Sequence, residues 1–92
     1  MIAYTTVGTN DMEKAKAFYG PLFEIVGASQ LYDMGTFVGY GRDMKSPAFA
    51  ICKPFNDEPA TAGNGTMIAL GLRTKSEVNA MHAKALELGA AN

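Results

Sequence analysis

One arrangement constrains this chain more than anything else in it. A strand, a capped helix and a stop glycine occur twice, in that order, at an offset of roughly 62–63 residues. The first copy opens on Ile2–Val7, a β-favouring run that holds Tyr4, Thr5 and Thr6. Asn10 is placed to cap the helix that follows, with Glu13 three residues on as in a capping box, and Gly27 is placed to stop it. Met12, Ala15, Phe18, Tyr19, Leu22, Phe23 and Val26 recur at helical spacing, and Gly20-Pro21 predicts a kink or a break within that helix. The second copy predicts a strand over Thr66–Leu72 and a helix over Ser76–Leu88, capped by Thr74 with Glu77 at the third helical position. Val78, Met81, Ala85 and Leu88 form its apolar stripe and Gly89 its stop. At this offset Tyr4 falls on Met67, Tyr19 on His82 and Gly27 on Gly89. Identity between the copies is slight, so the repeat rests on pattern and spacing.

Between the copies the periodicity shifts to strands. Ser29–Tyr32, Phe37–Gly41 and Ala48–Lys53 are short strand-like runs, joined by a hairpin turn at Asp33-Met34-Gly35-Thr36 and a longer turn over Arg42–Pro47. Asn56–Gly65 is a polar connector rich in turn residues. The expected fold is therefore α+β, a mixed sheet with helices on one face. It comprises one βαβββ unit (residues 1–55), a connector (56–65) and the βα start of a second unit (66–92). Two full units would take about 126 residues, so the second unit is expected to be truncated.

Charge and composition narrow the function. Eight Lys+Arg against nine Asp+Glu leave a net charge of −1, which provides no basic surplus for phosphates and argues against a nucleic-acid partner. No apolar run approaches the roughly 18–20 residues of a membrane span. Met1–Asn10 carries no signal-peptide core, and the single cysteine, Cys52, cannot form an internal disulfide. The expectation is a cytoplasmic protein in a reducing compartment.

Three stretches carry a family resemblance. They are Tyr4-Thr5-Thr6-Val7-Gly8-Thr9-Asn10-Asp11-Met12 leading to Ala17-Phe18-Tyr19, then Phe37-Val38-Gly39-Tyr40-Gly41, and Gly65-Thr66-Met67-Ile68-Ala69-Leu70. In order and extent the chain resembles the glyoxalase/bleomycin-resistance/extradiol-dioxygenase superfamily, the vicinal oxygen chelate fold. Catalytic members hold a divalent metal in a cupped sheet, with His, Glu or Gln ligands from the first and last strands of each unit. The resemblance places those positions on Tyr4 and Met67, and the last strand of unit one offers Ala50, Ile51 and Cys52. Neutral tyrosine and a thioether are poor ligands for Mg, Mn, Zn or Fe(II), so the resemblance implies the fold without the metal, and no cofactor is expected.

The remaining polar residues add little chemistry. His82 is the only histidine and sits beside an apolar stripe, where a boundary histidine with one nitrogen hydrogen-bonded is the plain reading. Cys52 reads as a small buried hydrophobe and Asn56-Asp57-Glu58 as a solvated loop tip, with an all-oxygen metal site around Asp57 and Glu58 as the residual alternative. Gly63-Asn64-Gly65-Thr66 precedes a strand, not a helix, so it is no phosphate cradle. The aromatic and methionine side chains predict more. Tyr4, Tyr40, Phe49 and Met67 are expected to line the concave sheet face and bind a small organic ligand. The leading reading is a metal-free small-molecule binder with weak or no catalysis. Its rivals are a metal-dependent lyase or dioxygenase of the same superfamily, and an interaction module completed by a partner. The unpaired second-unit strand predicts a homodimer.

Overall fold

The computed structural model describes residues 1–92 and contains six elements: β1 (Tyr4–Gly8), α1 (Met12–Glu24), β2 (Ser29–Asp33), β3 (Phe37–Gly41), β4 (Ala48–Cys52) and α2 (Lys75–Glu87). The four strands form one mixed sheet in the order β1-β4-β3-β2. The two tight connections make β2–β3 and β3–β4 antiparallel, whereas the passage through α1 lets β1 run parallel to β4. No helix is long and apolar enough to cross a membrane.

Register sorts the sheet into two unlike faces. Val7 pairs with Ile51, Ile51 with Val38, Phe49 with Tyr40 and Thr5 with Phe49, so these side chains share the face that α1 covers. Val38 and Ile51 there are fully buried, and Leu22 and Phe23 of α1 pack onto them. Tyr4, Thr6, Phe37, Gly39, Gly41, Ala48, Ala50 and Cys52 alternate onto the opposite, helix-free face. The second helix lies against α1, where it buries Met81 and half-buries Ala85 and Leu88.

Several expectations need correcting. The cap of α1 is Asp11, whose carboxylate accepts the Lys14 N–H at 3.0 Å. Asn10 does something else: its amide donates to the Ala60 carbonyl at 3.1 Å and accepts the Ala60 N–H at 2.7 Å. Gly8 admits this approach, because a Cβ there would stand 3.0 Å from the Ala60 side chain. The connector is thus clamped to the β1–α1 junction. Gly20-Pro21 does not divide α1, since the burial of Leu22 and Phe23 directly after it offsets the hydrogen bond that proline removes. Val78 leaves its predicted stripe and is exposed.

The largest correction concerns Thr66–Leu72. It forms no strand, and apart from a bond from Thr66 N–H to Gly63 O it makes no backbone hydrogen bond. A β-prone sequence becomes a strand only when a neighbouring edge satisfies its amides. Here β1 has β4 on one side and no strand on the other. The rest of the second copy forms as expected. Thr74 Oγ1 accepts the Glu77 N–H at 3.1 Å, and the Glu77 carboxylate accepts the Arg73 N–H at 2.8 Å.

One ion pair fastens α1 to the sheet: Lys16 Nζ lies 2.8 Å from Asp33 Oδ2. The hydrogen bond from Lys16, joined by one from the Gly35 N–H, holds the Asp33 carboxyl below its ordinary pKa, and the bond to Asp33 raises Lys16. A depressed carboxylate stabilises the fold above its unfolded pKa of about 3.9, and that contribution is lost as pH falls through the folded value. The Lys16 contribution is complete below about 10.4 and fades as pH rises through its folded value. Urea midpoints at pH 6 and pH 3 should therefore differ less in Asp33→Asn than in the parent chain. An unchanged difference would show that the pair does not act across that acid window.

Candidate functional site

The helix-free face is built from a floor of small residues with rings laid across it. Ala50 is fully buried, and Gly39 and Gly41 beside it are buried too, so the centre of this face has no side chain longer than a methyl group. Tyr4 reaches across that floor from β1 and meets the ring of Phe37 edge-on, with centroids 5.6 Å apart and planes at 88°. Phe37 in turn stacks on Tyr32 at 5.9 Å and 12°. These are favourable arrangements for ring quadrupoles.

Tyr32 arrives on this face through an irregularity in β2. The register with β3 shifts between Gln30 and Tyr32, which leaves Leu31 as the extra residue. A bulge re-aims side chains. Here it sends Leu31 over Gly41, where a Cβ would meet its Cδ1 at 2.9 Å, and Tyr32 over Gly39, whose Cβ position the phenol ring itself occupies. Beyond the shift Asp33 pairs with Val38 and so points to the α1 side, where it meets Lys16.

The four residues expected to form one ligand cup are not brought together. Tyr4 does stand on the helix-free face, 54% exposed. Tyr40 and Phe49 lie on the other side, each packed against Phe23 with ring centroids 5.6 and 5.0 Å away. Burial raises the Tyr40 hydroxyl pKa, as it does that of Tyr19. Met67 is 87% exposed, on the strandless segment, and borders a shallow groove with Val7, Leu22 and Phe49 on the α1 side. Strand alternation separates Tyr4 from Phe49 once Thr5 is known to sit opposite Phe49, and that register is a tertiary fact. Phe37 was recognisable from its alternation with Gly39 and Gly41. Tyr32 was not, because a bulge breaks the count of two.

No family model matches the sequence, and no curated protein matches it. Among solved structures, a glyoxalase/bleomycin resistance protein from Albidiferax ferrireducens T118 superposes with a TM-score of 0.86 at 29% identity, over 97% of this chain and 70% of that one. The chain has the glyoxalase/bleomycin-resistance fold. The superfamily's metal is a test of its donor set. The polar side chains on the helix-free face are the hydroxyls of Tyr4, Thr6, Ser29 and Tyr32 and the thiol of Cys52, and nowhere do three His, Cys, Asp or Glu residues gather. Tyr4 and Met67 do not face one another. This set does not fit a divalent ion that prefers imidazole and carboxylate. His82 stands exposed on α2 without a hydrogen-bond partner, away from the rings.

Proposed function

We propose that this chain is a metal-free binder of a small, flat organic molecule, with weak or no catalysis. Tyr4, Tyr32 and Phe37 supply the stacking surface. The reading rests on one observation: three rings lie over a floor of Gly39 and Ala50, on a face with no carboxylate, imidazole or ammonium to move a proton or hold an ion. Ring faces favour an aromatic guest, and the two phenol hydroxyls orient whichever polar groups it carries.

Indole is a suitable probe. Amide shifts in an NMR titration should cluster at residues 4, 32 and 37–39, and Tyr4→Ala or Phe37→Ala should weaken binding roughly three- to tenfold, the range of one aromatic contact. A chelator should leave the titration unchanged. One bound Zn, Mn or Fe per chain, with chelator-sensitive binding, would favour the metal-dependent lyase or dioxygenase instead. Indifference to both substitutions would remove this face from consideration.

A further inference from the structure

On the α1 side of the sheet, a second concavity lies beneath Ile68–Leu72. It has a volume of about 480 Å³, and none of the rings of Tyr4, Tyr32 and Phe37 lines it. Volumes of this order suit small ligands, which typically need about 300–1,000 Å³. Its walls are mainly aliphatic and aromatic: Val26 and Phe23 from α1, Phe49 from β4, and Ile68, Leu70 and Leu72 from the strandless segment. Ile68 and Leu72 are half-buried against it. The segment is held over the groove by side-chain contact alone, since its backbone makes no hydrogen bonds beyond Thr66.

One cation stands in this lining. Arg42 Nε donates to the Val26 carbonyl at 3.2 Å, which holds the guanidinium against the chain that leaves α1. Arg42 has no carboxylate within ion-pairing distance, unlike Lys16, Lys53 and Lys84. The adjacent Asp43 is committed elsewhere, accepting the N–H groups of Lys45 and Ser46 at 2.8 Å each. An apolar trough with a single unpaired guanidinium in its lining is complementary to an amphiphile with an anionic head.

We propose that this groove binds a medium-length alkyl carboxylate, with its chain beneath Ile68–Leu72 and its carboxylate on Arg42. The inference is independent of the ring-face reading. Decanoate is the test ligand, with decanol as the neutral analogue. In an NMR titration decanoate should shift amides at 26–28, 42 and 68–72 and leave 4, 32 and 37 in place. It should bind about tenfold more tightly than decanol, the effect of one charge-assisted hydrogen bond. Arg42→Gln should abolish that preference and Arg42→Lys should retain part of it, while indole binding at the ring face stays as it was in both. Equal affinity for decanoate and decanol in the parent chain would overturn the proposal. So would decanoate shifts confined to the ring face, or shifts at 68–72 that follow protein concentration alone, which would assign the groove to a second copy.

Discussion

Phe23→Ala should cost about 3–5 kcal/mol, the range for removing a fully buried phenylalanine ring. Phe23 is 4% exposed and contacts three other rings: Phe49 at 5.0 Å, Tyr40 at 5.6 Å and Tyr19, on which it stacks, at 5.8 Å. It is the piece of α1 that reaches both central strands, so its loss opens a cavity between helix and sheet. A domain of this size has a total stability of about 5–15 kcal/mol and tends to the lower end. The variant should therefore be partly unfolded at 37 °C. Phe18→Ala is the control, because Phe18 is only half-buried and touches Tyr19 alone among the aromatic rings. Its urea midpoint should fall by less than half as much. A Phe23→Ala loss below about 1 kcal/mol would mean that the ring is not what joins α1 to the sheet.

The second large effect is on mass. The 9.8 kDa chain should sediment as a homodimer at micromolar concentration. The physical argument rests on two unsatisfied features. The outer edge of β1 has no strand beside it, and Thr66–Leu72, β-prone in composition, leaves its amides unpaired. An exposed edge and a free strand-like segment are templates for each other, and a two-fold arrangement closes both at once. Around them Ile2, Met67 and Leu70 leave large apolar side chains in solvent. Leu70→Lys should shift the equilibrium to monomer without changing the circular dichroism. A parent chain that stays near 10 kDa at every concentration would show that both features are satisfied by water, and would remove the interaction-module reading with them.

The expected βαβββ order, both helices and the tight turns were legible because each has a local cause. Asp33 and Gly35 close the β2–β3 turn through a side-chain hydrogen bond of 2.8 Å and a glycine φ of 80°, and the Thr74 cap starts α2 where its spacing predicts. Asn10 and Asp11 were harder to tell apart. Both residue types cap helices well, and only the position of Ala60 decides which of them is diverted to the connector. The candidate site was half legible. Tyr4 stands on the helix-free face, whereas the register puts Tyr40 and Phe49, expected beside it, on the other.

The sequence by itself determined that two capped helices and the turns between the strands form, and that β4 carries one face of large residues and one of small. Those properties depend on neighbours a few residues away, through capping, glycine conformation and the alternation of side chains. The tertiary structure alone decided which strand edges meet, that the bulge at Leu31 turns Tyr32 over Gly39, and that Thr66–Leu72 remains unpaired. A strand is completed by hydrogen bonds to a residue far away in the chain. Its register, its face and even its existence depend on a partner that local sequence does not specify.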